Sequence, residues 1–120
     1  MKVAITSTGT DLDRPVDERF GRAKVILVVD TESEAFKALD NSVNLNAAQG
    51  AGIQTAQRMA DEGVQYVLTG HIGPKAYRAL NAAGIQILTG AFGTVRETLD
   101  RFKKGEMKTT DRPDVQGHWS

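Results

Sequence analysis

Arg14, Arg19 and Arg22 crowd one polar stretch around Phe20-Gly21. Guanidinium is well suited to capturing a delocalised anion, being weakly hydrated and permanently charged. Further along, two short apolar runs each enter Thr-Gly-x-x-Gly and then a helix-forming stretch. The first copy is Thr69-Gly70-His71-Ile72-Gly73 ahead of Pro74, and the second is Thr89-Gly90-Ala91-Phe92-Gly93 ahead of Thr94. A glycine-rich turn from strand into helix leaves backbone N–H groups unpaired at the positive end of the helix dipole, where anions bind. Gly50-Ala51-Gly52 opens a third helix, so the amides near Gly52, Gly73 and Gly93 are candidate donors. His71, inside the first turn, is a candidate ligand, proton donor or hydrogen-bond donor. Each feature also has a purely structural use. Glycine suits any sharp turn, the arginines can pair with Asp11, Asp13, Asp17 and Glu18, and His71 can be a solvated loop residue. His118, beside Trp119 in the polar C-terminal stretch, is given no binding role.

The composition narrows the chemistry. Cysteine is absent, which excludes disulfides, thiolate-held iron–sulfur clusters and cysteine nucleophiles. Two histidines are too few for a closed protein-only transition-metal site, so any metal is expected to arrive inside a preassembled ligand. Fifteen basic and fifteen acidic side chains cancel, leaving no global field to attract nucleic acid or an anionic membrane. Without an apolar signal core or a run of about 20 apolar residues, the expected location is the cytoplasm. A nuclease of the ribonuclease H type needs carboxylates converging on metal ions. Neither Val3-Ala4-Ile5-Thr6-Ser7 nor the run Val64 to Leu68 supplies one. No Gly-x-Ser-x-Gly, Walker lysine or His-Glu-x-x-His motif occurs.

These residues need a scaffold. Met1 to Ser7 reads as a first strand, and Lys24 to Asp30 as a buried central one. Ala35 to Asp40 is either the return arm of an edge hairpin or a short helix. From Gly50 a helix is expected with Ile53, Ala56, Met59 and Ala60 on its buried face, stopped by Gly63. Val64 to Leu68 and Ile85 to Leu88 are the last two strands. The helix after Pro74 is expected to bury Tyr77, Leu80 and Ala83 or Gly84. The helix after Thr94 opens on a capping box with Glu97 and buries Val95, Leu99 and Phe102. The order βββαβαβα with right-handed crossovers gives an α/β fold of ribonuclease H-like topology, with a mixed sheet of about five strands and three helices. Residues 1–106 form the domain, and 107–120 read as a polar, mobile tail.

The sequence resembles the dinitrogenase iron–molybdenum cofactor-binding family. The resemblance rests on Met1-Lys2-Val3-Ala4-Ile5, Asp17-Glu18-Arg19-Phe20-Gly21-Arg22-Ala23, Gly50-Ala51-Gly52-Ile53-Gln54, Gly70-His71-Ile72-Gly73-Pro74 and Gly84-Ile85 through Gly90 to Gly93-Thr94-Val95. It implies a ribonuclease H-like fold without nuclease activity that binds or carries a metal–sulfur cluster. In one branch, the orange proteins, this is a molybdenum–copper sulfide cluster held without covalent attachment. Members commonly carry histidine before the Phe-Gly-Arg motif. Here Arg19 stands there, which favours electrostatic capture of an already saturated cluster over direct ligation. The expected cluster-binding residues are Arg19, Phe20, Gly21, Arg22, Gly50, Gly52, Gly70, His71, Ile72, Gly73, Gly90 and Gly93, with His71 as the metal contact. The expected function is a non-enzymatic carrier of a molybdenum-containing metal–sulfide cluster (Mo–Cu–S or Fe–Mo–S), working with cluster-delivery or acceptor proteins. A phosphate- or nucleotide-binding regulatory module could use the same turns. A protein-interaction domain has only the tail ending Gly117-His118-Trp119-Ser120 to recommend it.

Overall fold

A computed structural model describes residues 1–41 and 51–109. Five strands form one sheet in the order β3-β2-β1-β4-β5: β1 (Lys2–Ser7), β2 (Val25–Asp30), β3 (Phe36–Asp40), β4 (Tyr66–Leu68) and β5 (Gln86–Leu88). β1 pairs antiparallel with β2 and parallel with β4, β2 pairs antiparallel with β3, and β4 pairs parallel with β5. One antiparallel member in an otherwise parallel sheet of this order is the ribonuclease H-like topology. The stretch left open between hairpin arm and helix is the edge strand β3. Cross-strand pairing with β2 overrides the modest helix propensity of Ala35, Lys37 and Ala38.

Helices α1 (Ala51–Asp61) and α2 (Pro74–Ala82) cover one face and α3 (Val95–Lys103) the other. The α1/α2 side gathers Ala4, Phe20, Ile26, Val28, Met59, Val67, Ile72 and Leu80 into one cluster. The α3 side gathers Val3, Ile5, Leu27, Val29, Leu68, Leu88, Val95 and Leu99 into the other, with Met107 packed against it beyond α3. In α1 the buried face runs through Gly52, Thr55, Ala56 and Met59, whereas Ile53 is 45% exposed and Ala60 exposed. The expected face was rotated because it followed hydrophobicity alone. The actual stripe admits Thr55, whose hydroxyl donates to the Asn41 side-chain oxygen at 3.1 Å. In α2, Ala76 and Leu80 are buried, Tyr77 is half-buried, and Ala83 and Gly84 are exposed. The capping box of α3 is present in full. Gly50 and most of the expected tail (110–120) lie outside the described residues.

Candidate functional site

The loop from Thr8 to Lys24 lies over the carboxyl edge of the sheet and is fastened there by backbone. The amides of Asp17 and Val16 donate to the carbonyls of Thr6 (3.0 Å) and Gly93 (2.8 Å). The Thr6 hydroxyl donates to the Asp17 carbonyl at 2.6 Å. Beyond Asp17 the loop forms a short parallel bridge with the first glycine turn, in which Arg19 is the partner of His71. The His71 amide donates to the Glu18 carbonyl at 2.6 Å, and the Phe20 amide to the His71 carbonyl at 3.2 Å. Side chains alternate about an extended bridge, and partners share a side. Phe20 and Ile72 therefore point together into the α1/α2-side core, both 0% exposed, while Arg19 and His71 point together outward. Gly70 permits this approach. A Cβ there would sit 2.7 Å from the Glu18 carbonyl oxygen and 2.8 Å from its Cα.

Of the twelve expected site residues, Phe20 and Ile72 are thus core residues that fix the loop to the turn, and their side chains cannot touch a ligand. Gly21 is buried as well. Gly52 is the buried second residue of α1. Arg19 and Arg22 are exposed, and His71 is half-buried.

The two Thr-Gly-x-x-Gly turns lie side by side. The Gly90 amide donates to the Gly70 carbonyl at 3.0 Å and the Ala91 amide to the Thr69 carbonyl at 3.1 Å. They are not equivalent, because β4 leads to a helix on one face of the sheet and β5 to a helix on the other. In the first turn His71 faces out and Ile72 is buried. In the second Ala91 is 4% exposed and Phe92 is 65% exposed. Gly90 takes φ +84°, open to glycine without strain. Adjacent strands whose connections leave towards opposite faces make the crevice where open α/β sheets bind ligands.

Donors at the two helix starts differ too. At α3 the Thr94 amide donates to Glu97 Oε1 (2.9 Å) and the Glu97 amide to Thr94 Oγ1 (3.1 Å). The amides of Val95 and Arg96 donate to the carbonyls of Arg14 (2.9 Å) and Leu12 (2.8 Å). The expectation of free donors beyond Gly93 is corrected: the protein's own loop occupies that helix start. At α2, Gly73 is the N-cap without a side-chain cap, and Pro74 brings no N–H. The amides of Gly73, Lys75 and Ala76 have no acceptor among the described residues; of the three residues Gly73 and Ala76 are buried and only Lys75 is exposed.

Charge separates in the same way. Asp13 pairs with Arg96 of α3 at 2.8 Å, holding that guanidinium above its ordinary pKa. Asp11 and Asp17 accept the backbone amides of Asp13 (2.9 Å) and Arg19 (3.0 Å). Arg14 lies over Gly9, its Nε 2.5 Å from where a Cβ would stand. Arg19 and Arg22 form no salt bridge among the described residues, so the alternative in which the loop carboxylates neutralise them is not realised. One exposed apolar side chain went unrecognised as a neighbour of the turns, Phe92 of the second turn, whose ring lies 4.0 Å from the Arg101 guanidinium carbon. The non-identical faces of β4–α2 and β5–α3 were the missing signal.

No group of three or more His, Asp or Glu side chains among the described residues could hold a bare metal ion. The buried hydroxyls at the ends of β1 and β4 are engaged locally, Ser7 Oγ donating to the Gly9 carbonyl (2.7 Å) and Thr69 Oγ1 bonded to Thr6 Oγ1 (2.9 Å). No described helix is long and apolar enough to cross a membrane. Fold and edge together define a small ribonuclease H-like domain that presents, at a strand-end edge, guanidinium groups without carboxylate partners among the described residues. The chain belongs to the dinitrogenase iron–molybdenum cofactor family, whose model matches residues 1–105. It is similar to the apo form of the orange protein from Desulfovibrio gigas, with 41% identity and a TM-score of 0.93 over 95% of this chain and 96% of that one. A candidate NifB protein from Thermotoga, of the DUF35 family, matches at 34% identity and TM-score 0.79, over 90% of this chain and 91% of that one. An uncharacterized protein of Methanocaldococcus jannaschii is 25% identical over 112 residues, covering 90% of this chain and 94% of that protein.

Proposed function

We propose that the carboxyl edge captures a preassembled anionic metal–sulfide cluster containing molybdenum (Mo–Cu–S or Fe–Mo–S), and that the protein is a non-enzymatic, cytoplasmic carrier exchanging it with delivery and acceptor proteins. The observation that carries this reading is the pair Arg19 and Arg22, exposed and without carboxylate partners among the described residues, in a loop that backbone bonds hold against the first glycine turn. The donor set fits a cluster whose metals are already saturated by sulfide. It offers positive charge and N–H groups, and among the described residues no cage of ligating side chains. Arg19 and Arg22 neutralise charge, the exposed Lys75 amide donates to sulfide, and His71, on the same side of the bridge as Arg19, makes a contact capable of metal ligation. Membership in a family named for the iron–molybdenum cofactor and 41% identity to an orange protein support the cargo class.

The test is optical titration of the apo chain with tetrathiomolybdate and copper(I), read in the visible. Binding is expected to be reversible and to weaken as salt rises. Arg19→Gln with Arg22→Gln should lower affinity roughly five- to tenfold per arginine at low ionic strength and flatten the salt dependence. Arg14→Gln, whose side chain folds onto Gly9, should do less. Unchanged affinity in the double variant refutes the assignment, and displacement by inorganic phosphate at constant ionic strength would favour a phosphate site instead.

A further inference from the structure

Thr6 of β1 and Thr69, just past β4, stand next to each other where the sheet register continues beyond the pair Ile5 and Leu68. Both side chains are 0% exposed, and alternation puts them on the side of the sheet where Ala4 and Val67 meet Phe20 and Ile72. Valine has nearly the same shape and no hydroxyl to bury, so two hydroxyls here need a reason. Their protons supply it. A carbonyl can only accept, so the Thr6 hydroxyl spends its single proton on the Asp17 carbonyl at 2.6 Å. In the 2.9 Å bond between the two hydroxyls, Thr69 is therefore the donor. The Asp17 amide donates back to the Thr6 carbonyl at 3.0 Å, so Thr6 grips both backbone groups of Asp17. Hydrogen bonds in series polarise one another, and the Thr69 proton strengthens the grip on Asp17.

We propose that Thr6, backed by Thr69, is the positioning residue that sets where Arg19 and His71 stand towards the anionic ligand, a role that rests on the cluster-capture reading of this edge. The bonds close a ring. From Thr69 they pass through Thr6 to Asp17, whose Oδ1 accepts the Arg19 amide at 3.0 Å. They return through the bridge of Arg19 with His71, where the His71 amide donates to the Glu18 carbonyl at 2.6 Å. His71 lies two residues beyond Thr69, so the ring is short and its members hold one another in place. Thr69 also joins the second turn. Its carbonyl accepts the Ala91 amide at 3.1 Å, and its own amide donates to the Leu88 carbonyl at 3.1 Å. One residue thus ties both glycine turns to the basic loop. Neither hydroxyl reaches the surface, so both act on the ligand only through Arg19 and His71.

Valine substitutions separate position from stability. Thr6→Val alone leaves the Thr69 hydroxyl buried without its acceptor, which costs stability whatever its role. Thr6→Val with Thr69→Val leaves no buried donor over, so Tm should return most of the way to the parent's. Binding should not return with it. Tetrathiomolybdate with copper(I) should bind the double valine variant roughly three- to tenfold more weakly, with a flatter salt dependence. Thr6→Ser with Thr69→Ser keeps both hydroxyls and should restore binding despite its lost methyls. Amide hydrogen exchange of the apo chain reads the geometry without any ligand. The His71 and Phe20 amides should exchange faster in the double valine variant, while those of β1 and β2 keep their protection. Parental affinity in that variant overturns the proposal, as does unchanged exchange at His71 and Phe20. A double serine variant as weak as the valine one also overturns it, because packing would then be the cause. A parent that binds no thiomolybdate refutes the cluster reading instead, and the exchange comparison still decides whether the threonines hold the loop.

Discussion

Replacing Gly70 by alanine should loosen the basic loop from the sheet, and Gly90→Ala is its control. The added methyl at Gly70 would stand 2.7 Å from the Glu18 carbonyl oxygen, 2.8 Å from its Cα and 3.0 Å from its Cβ. Two of those atoms are backbone, so no side-chain rotation relieves the clash. Overpacking of this kind costs roughly 1–3 kcal/mol. The loop must lift, stretching the bonds from the His71 amide to Glu18 (2.6 Å) and from the Phe20 amide to His71 (3.2 Å). Each is worth about 0.5–1.5 kcal/mol net. Because clash and stretching relieve one another, the total should be about 2–4 kcal/mol rather than the full sum. For a domain of this size that is roughly 8–20 °C in Tm. At Gly90 nothing lies within 4 Å of the added Cβ, but φ is +84°, so the cost is backbone strain of roughly 1–2 kcal/mol. Thermal unfolding of the three proteins followed by circular dichroism provides the comparison, with tetrathiomolybdate affinity as the second readout. Affinity should fall in Gly70→Ala because Arg19 and His71 lose their register. A Gly70→Ala protein as stable as Gly90→Ala, with parental affinity, would refute the claim that close loop–turn contact builds the site.

Phe20→Ala should destabilise by about 3–5 kcal/mol, as for a large side chain emptied from a packed core, and calorimetry should show this before any binding effect is read. His71→Asn should weaken cluster retention measured by gel filtration with metal analysis, and retention equal to the parent's would make His71 a bystander. Glu97 is held below the ordinary carboxylate range, first by the Thr94 backbone amide and then by its hydroxyl. A depressed folded pKa contributes stability above the unfolded value of about 4.3 that disappears as pH falls through the folded value. The Tm advantage of the parent over Glu97→Gln should therefore be full near about pH 6 and shrink towards about pH 3, and a constant gap would remove the charged cap from the account.

The strands and their order were legible because β1 and β2 are continuous apolar runs and the later elements alternate with helices of amphipathic period. Boundaries held where local chemistry is strong, at Pro74 and at the Thr94–Glu97 box. Legibility failed where one residue type serves two purposes. Ile53 was assigned inward by hydrophobicity, while Thr55 occupies the buried stripe because Asn41 offers it a partner. Phe20 and Ile72 were assigned to the ligand because they sit inside the motifs. The bridge pairing Arg19 with His71 turns them the other way.

The twin turns carry the more general lesson. Identical Thr-Gly-x-x-Gly strings promised two equal anion sites, and periodicity within either string gives no reason to separate them. What separates them is long-range. The carbonyls of Arg14 and Leu12 accept the amides of Val95 and Arg96 at the α3 start, and Asp13 joins Arg96 alongside. One helix terminus is thereby satisfied internally, and a loop carboxylate is drawn away from Arg19 and Arg22. The same contacts that remove the second turn from the candidate site leave the first with positive charge, an exposed Lys75 amide that has no acceptor among the described residues, and the outward side of the bridge that carries His71. Saturating the α3 terminus and exposing the basic edge are two consequences of one docking of the loop. A substitution that breaks the Asp13–Arg96 pair should therefore change the salt dependence of binding without touching any residue that meets the ligand.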